Sequence, residues 1–562
     1  MFKEGIKGVV GLENLFLGIF NSMEEKAKSS ETLIQLSKFT QALLSAIQSI
    51  KAKPSPDDFS KLTVSQTVSF VALVYEKVRN VMEFREEHLV LRAAIERILK
   101  RRLSLNPQGE DEAENLIREL LWARYFDNES LGTEDVKKVQ LVIDRYILLR
   151  KLLLAGRNSE KEKYLGQFLF DLVTCEIEEM LKPEGTTRSA NFTYFIYQVL
   201  RKKVKLEGLT EQQKDAYFIA AIEKSFRKSD KAYKRYHLFI TFYKKLNEYT
   251  TAEMHEMATR LPETLQKIDE IISNHFVDNL AKYVKKQMPP FLILFDIIKR
   301  KLKTIDGILQ DKNKLWTEVE YTCRQKYQDL GARLRNLAVK AFIYIFLTKM
   351  LLAIILEYPA SLYVYGEVNT IAILVNSIFP PILMAFIVLL FRLPSEENTR
   401  NIYLRIIEMI NADKSFETQI AYIPKKSKIK KPILIFGFTI FYSFTFLVTL
   451  TLIYEILKLL QFNLISMAIF IFFVSVVTFF SYKIKQIVNE YRLKEKEGIL
   501  TPVVDFFFMP ILSLGKFFST EIARLNFFIF IFDFLIEAPF KLVFEVVEEW
   551  ISFVRQRKEE IV

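Results

Sequence analysis

The sequence predicts an all-α protein: a large multi-helix domain, then a four-helix transmembrane bundle, then amphipathic or interfacial helices at the C-terminal end. Three observations lead to this fold class. Glycine and proline number only 16 each among 562 residues, which disfavours all-β folds and glycine-rich phosphate loops. Apolar residues recur at intervals of three and four before residue 335, the period of amphipathic helices. Four later stretches are apolar enough to cross a bilayer.

Residues 1–20 are predicted to form an amphipathic helix. Glu13 and Asn14 interrupt their apolar run, and no small-residue cleavage site follows, so a signal peptide is not expected. Without such a signal, the domain that follows is expected to stay in the cytoplasm.

Residues 21–335 are predicted to form this cytoplasmic domain, with about ten helices separated by turn signals such as Lys53–Pro56 and Asn106–Gly109. The domain is uneven in charge. Residues 1–200 carry 28 basic and 29 acidic side chains, whereas residues 201–350 carry 30 and 18. The net charge of +12 therefore lies next to the first apolar run.

Four segments are predicted to span the membrane: 337–356, 370–390, 433–454 and 464–482. Each approaches the twenty apolar residues that cross about 30 Å of hydrocarbon. Their orientation follows from flanking basic residues. No Lys or Arg occurs from Met350 to Phe391, whereas the loop 392–431 carries nine. We therefore expect a multi-pass protein with both termini in the cytoplasm.

The Phe-rich residues 499–554 are more ambiguous. Charges fall every four residues at Asp533, Glu537, Lys541, Glu545 and Glu549, which on a helix gives a narrow polar stripe beside a broad apolar face. Helices in the inner interface, or packed under the bundle, fit this pattern best. A re-entrant pair and two further spans are the alternatives, and residues 555–562 form a polar tail.

Two clusters of basic residues are candidates for contact with anionic lipid, because Lys and Arg beside a membrane are attracted to its negative surface. No zinc-finger or RNP-type pattern accompanies them, so nucleic acid is not an expected partner. The clusters consist of Arg201, Lys202, Lys203, Lys205, Lys425, Lys426, Lys428, Lys430 and Lys431.

No motif indicates catalysis, a cofactor or a metal. Phosphate-binding glycine motifs are missing, and His255-Glu256 lacks the second histidine of a zinc-protease helix. Cys175 and Cys323 lie in helical contexts and are interpreted as buried thiols. Glu178-Glu179 is interpreted as part of a solvated helix face. The sequence thus gives no positive reason to expect an enzyme.

Lys349 is the residue least suited to its surroundings, since it lies inside the first apolar segment. Glu357 and Glu455 lie near the same end of the bundle and could reach it. Intramembrane charges are functional candidates, and a site facing the bundle interior is one interpretation. Snorkelling to the headgroups or a structural ion pair is the other. With Glu357 placed near the outer interface, the sequence predicts that Lys349→Met is tolerated.

These features favour a non-enzymatic, membrane-anchored helical scaffold or adaptor. Its cytoplasmic body would bind anionic lipid or a protein partner, and self-association is also possible. The alternative is a subunit of an oligomeric transporter or channel with Lys349 near the conduction path, although four spans are few for a transporter. A lipid-modifying membrane enzyme has less support, because no acid–base or metal constellation is present.

Overall fold

The computed structural model divides into two compact units. The bundle unit comprises Met1–Gln48, Lys286–Ile420 and Lys426–Thr520, and the body unit comprises Ser49–Lys285, Ala421–Lys425 and Glu521–Val562. The structure describes residues 33–50, 60–65, 69, 72–73, 76, 89–154, 159–206, 209–366, 368–389, 391–411, 421–423, 432–493, 509–518, 550 and 553–554. The predictions for residues 1–20 and 555–562, and for most of 499–554, lie outside these ranges.

The described chain is almost entirely helical, which confirms the all-α prediction. Its helices are α1 (Lys38–Gln48), α2 (Val90–Leu105), α3 (Glu112–Trp122), α4 (Thr133–Leu154), α5 (Ser159–Leu181), α6 (Pro183–Arg201), α7 (Glu211–Ser225), α8 (Lys231–Phe242), α9 (Thr251–Ser273), α10 (His275–Arg300), α11 (Ile305–Gln310), α12 (Lys312–Leu352), α13 (Tyr358–Tyr365), α14 (Thr370–Leu389), α15 (Glu396–Ile410), α16 (Pro432–Leu459), α17 (Leu464–Val488) and α18 (Met509–Phe518). Short 3₁₀ turns occupy Leu246–Glu248 and Asn489–Tyr491.

Local sequence signals begin several helices of the body unit. A capping box starts α7. The side chain of Thr210 accepts from the backbone N–H of Gln213, and the side chain of Gln213 accepts from the backbone N–H of Thr210. Thr250 and Glu253 do the same for α9, and the carboxylate of Asp230 caps α8. These bonds satisfy backbone N–H groups that have no partner within the first helical turn.

The core of the body unit surrounds α5, which contacts α2, α4, α6, α8 and α9. Every residue of α5 from Phe168 to Glu178 is buried, as expected for a helix enclosed on all sides. Large aromatic side chains dominate the packing around it, including Phe192, Phe195 and Phe239. The central helix therefore also buries its polar residues, and these need partners inside the protein.

Among the described residues, a two-stranded parallel sheet accompanies the helices. Strand β1 (Val204–Leu206) pairs with β2 (Ala421–Ile423), with Lys205 opposite Tyr422. Both strands belong to the body unit. The sequence did not predict them, because three residues are too few to display the alternation by which strands are recognised.

Within the described part of the bundle unit, four helices are long and apolar enough to cross a membrane, which agrees with the number predicted. They are Lys312–Tyr365, Thr370–Val388, Phe436–Leu459 and Leu464–Tyr491. The first is the end of a helix that starts 25 residues before its predicted boundary, at Lys312 rather than 337. Met384 and Val477 pack with Leu334 and Ile345 in one apolar cluster. By contrast, α16 leaves most of its side chains exposed, an arrangement suited to lipid.

Candidate functional site

Two of the charges singled out in the sequence form a buried ion pair inside the first span. Nζ of Lys349 lies 2.9 Å from Oε2 of Glu357, and both side chains have 0% exposure. A charge removed from water is costly unless it is paired with an opposite charge. The ammonium of Lys349 is thus enclosed by protein and paired with a carboxylate, the arrangement expected of a structural ion pair.

An irregularity in the helix explains how two residues eight positions apart can meet. On a regular α-helix they would be separated by about 12 Å along the axis and about 80° around it. Here Ala353–Glu357 forms a π-helical turn. A turn of this kind contains one more residue than an α-helical turn. Eight positions along the chain therefore cover the rotation that seven cover in a regular α-helix, which is two full turns. Pro359, two residues after the end of this turn, cannot donate a backbone hydrogen bond, which favours a widened turn at this point.

Asn376 on α14 connects this ion pair to two other helices. Its Nδ2 donates to Oε1 of Glu357 over 2.7 Å and to the carbonyl oxygen of Ser466, on α17, over 3.1 Å. Asn376 has 0% exposure. Residues from three predicted spans are thereby joined in what we call the intramembrane cluster, which consists of Lys349, Glu357, Asn376 and Ser466.

Neighbouring groups hold the intramembrane cluster in place. Nζ of Lys349 lies 5.1 Å from the centre of the Phe473 ring, a distance that allows a cation–π contact. Asn463 caps α17 by accepting from the N–H of Ser466, and it donates to the hydroxyl of Ser361 over 2.9 Å. These polar contacts link three helices of the bundle and fix their register.

Glu455, the third intramembrane candidate, is not part of this cluster. It lies on an exposed face of α16, and the carboxylate that pairs with Lys349 is that of Glu357. The sequence could not choose between the two glutamates because each lies one residue beyond the C-terminal end of a predicted span.

The short helix α18 packs against the side of the bundle. The hydroxyl groups of Ser513 and Tyr442, on α16, lie 2.9 Å apart. At Gly515 a Cβ atom would stand 2.0 Å from the carbonyl oxygen of Ser475, on α17, so only glycine permits this close approach. Tyr442 and Ser475 are midway along their spans. The described helix Met509–Phe518 therefore contacts these two helices at mid-length.

The basic candidates are divided between described and undescribed parts of the chain. Arg201 lies within 3.6 Å of Glu211 and 3.5 Å of Asp215, which reduces its availability to lipid. The second group, Lys425, Lys426, Lys428, Lys430 and Lys431, lies outside the described residues. Lys202 and Lys205 are exposed, Lys203 is partly exposed, and none of the three pairs with an acidic side chain in the described part of the body unit.

The interpretation of Glu178-Glu179 as a solvated face is wrong. Glu178 is 6% exposed and accepts a hydrogen bond from the hydroxyl of Tyr233, while Glu179 accepts one from Tyr236 over 2.5 Å. Burial raises the pKa of Glu178 to about 7, against the opposing effect of the Tyr233 hydrogen bond. These tyrosines lie on α8, more than fifty residues away, so no local pattern could have revealed them.

Glu176 is a second buried carboxylate that sequence reasoning missed. Its two oxygens accept from the backbone N–H groups of Leu246 and Asn247, each over 2.8 Å. Burial raises the pKa of Glu176 to about 7, although these two bonds oppose the shift. The carboxylate thereby fixes the 3₁₀ turn between α8 and α9 to the central helix.

The remaining reactive residues offer no assembled site. Cys175 and Cys323 are both buried, as expected, and burial raises the pKa of the Cys175 thiol well above its usual range. Within the described ranges, no group of three or more His, Cys, Asp or Glu side chains is placed to hold a metal ion.

Comparison with known proteins adds no relative to these observations: no family model, curated protein or solved structure matches the chain.

Proposed function

We propose that this protein is a non-enzymatic, membrane-anchored helical scaffold. In this proposal the bundle unit holds the chain in a bilayer and the body unit binds a partner. The observation that carries the proposal is the closure of the intramembrane cluster. Lys349, Glu357 and Asn376 are all fully buried, and Glu357 binds both the ammonium of Lys349 and the amide nitrogen of Asn376, whereas a conduction path requires polar groups accessible to the ion or solute.

The body unit gives the second line of support. It has its own core around α5 and many residues that a simple membrane anchor does not need. Buried charge networks such as Arg235 with Asp171 and Asp269 make its helices rigid. A rigid helical body fixed beside a membrane is suited to presenting a binding surface.

The proposal includes a cytoplasmic body, both termini on the cytoplasmic side and attraction to anionic lipid. It is supported by the uneven Lys and Arg content of the loops and by the exposed Lys202 and Lys205. Reporter fusions at Gly366 and Ser427 should report opposite sides of the membrane. Reports from the same side would contradict the proposed topology but would not contradict the packing of the helices within the bundle.

Flux measurements test the scaffold against the channel or transporter alternative. The purified chain is reconstituted into vesicles, and permeability to small ions and neutral solutes is compared with that of empty vesicles. We expect no difference. Flux that depends on Lys349, and that Lys349→Met abolishes while the protein remains folded, would overturn the scaffold proposal in favour of a conduit.

A further inference from the structure

A cleft of about 530 Å³ lies between α2, α4 and α5 of the body unit, within the usual range for ligand sites. Its floor is apolar. Leu103, Tyr146 and Phe170 line it and are each less than a tenth exposed. The rings of Tyr146 and Phe170 meet edge to face with centres 5.7 Å apart. This surface is fixed by core packing and can receive an apolar side chain without rearrangement.

A glycine keeps this cleft open. Gly166 lies inside α5, where glycine costs roughly 1 kcal/mol relative to alanine. The nearest atom to a Cβ built there is Cδ1 of Leu154 at 4.0 Å, an ordinary contact. Neither a tight backbone approach nor a positive φ requires glycine at this position. Because Gly166 has no side chain, it leaves open space in the cleft that it lines.

The mouth of the cleft is positively charged. Lys100, Arg150 and Lys163 come from three different helices, and all three are exposed. None forms an ion pair with another residue of the described body. Glu162 is the acidic side chain at this rim, which leaves a local charge of about +2 by side-chain count. An acidic partner is therefore favoured.

A second cleft of about 490 Å³ lies beside the first along α5, and Gln167 lines both. The charges of the second cleft are already paired: Arg92 lies 2.6 Å from Asp230, and Arg235 lies 2.6 Å from Asp171. Together the clefts follow α5 from Lys163 to Asp171, which is about 12 Å of helix. Six of the nine residues that line the second cleft are charged, so an acyl chain lying there would place hydrocarbon against charged groups. A peptide has both apolar side chains and a polar backbone.

We infer that these neighbouring clefts dock a short acidic peptide segment of a partner protein, with its apolar side chains on the Leu103, Tyr146 and Phe170 floor and its carboxylates beside the basic rim. The inference rests on the proposed scaffold function and names the surface through which it acts. The occupant is identified by complementarity of charge and polarity.

The test uses the full chain in detergent micelles and a fluorescein-labelled peptide of alternating Leu and Glu, with fluorescence anisotropy as the measurement. We expect saturable binding that weakens as salt screens the rim. Arg150→Glu with Lys163→Glu should weaken binding about tenfold, since two attractive contacts become repulsive. Lys138→Glu with Lys161→Glu makes the same charge change on the same two helices outside the cleft, and should leave binding unchanged.

Gly166→Phe provides a variant that keeps every charge. Its Cβ would meet only the side chain of Leu154, at 4.0 Å, and phenylalanine replaces a residue that disfavours helix. The variant should abolish peptide binding while circular dichroism and thermal unfolding remain normal. Equal binding by this variant, equal weakening by the two charge pairs, or no binding to the wild-type chain would overturn the inference. Displacement of the peptide by palmitate at the same site would overturn it in favour of a lipid ligand. Flux through reconstituted protein would contradict the scaffold proposal separately.

Discussion

The Lys349–Glu357 pair gives the sharpest energetic prediction. Because both side chains have 0% exposure, Lys349→Met leaves a carboxylate enclosed by apolar groups and one asparagine. Breaking a buried pair from one side costs about 3–5 kcal/mol. The structure thus reverses the expectation from sequence that this substitution is tolerated, since Glu357 is not at a wet interface. Glu357→Gln should have a similar cost, because it leaves the ammonium of Lys349 without an anion.

The double variant tests whether the loss of stability comes from breaking the ion pair or from any substitution at these two positions. Lys349→Met with Glu357→Gln removes both charges and retains an amide oxygen that can accept from Asn376. It should lie within about 1 kcal/mol of the wild type, so the double-mutant cycle should show a coupling energy of at least about 2 kcal/mol. Unfolding in detergent micelles measures all four proteins. Neutral single variants with additive effects would refute the argument and mean that the pair contributes nothing to the bundle.

Three further predictions concern other parts of the structure. Asn376→Ala should lower stability by about 1–3 kcal/mol, because buried acceptors lose their donor; an unchanged unfolding midpoint would count against the hydrogen bonds described. Gly515→Leu should dislodge α18 and lower the melting temperature, whereas Gly437→Leu, with no atom within 4 Å of its Cβ position, should not; equal effects would contradict the close packing. Glu176 and Glu178 have pKa values of about 7 in the fold against 4.5 normally. The folded body binds more protons between these values, so its stability should fall as pH rises from about 5 to about 7, and replacing both by Gln should flatten that part of the melting profile.

The sequence alone predicted the features that depend on local composition and period. Three- and four-residue apolar spacing is visible within one helix, and runs of about twenty apolar residues identify spans without knowledge of their neighbours. Lys349 stood out for the same reason, as a charge in an apolar run. Helix boundaries were predicted less accurately. The helix α12 begins at Lys312 and continues into the first apolar segment, because a polar helix and an apolar one can share a continuous backbone.

Tertiary structure decided which polar groups meet. Glu357, rather than Glu455, pairs with Lys349 because of a π-helical turn that no hydropathy pattern shows. Asn376 joins that pair from another helix, and the Glu178 carboxylate is buried because a tyrosine from α8 reaches it. Composition and periodicity show which face of a single segment is apolar and is therefore expected to be buried. The partner of a buried polar group is set by helices brought together from distant parts of the chain, and the free energy of that contact exists only once they pack.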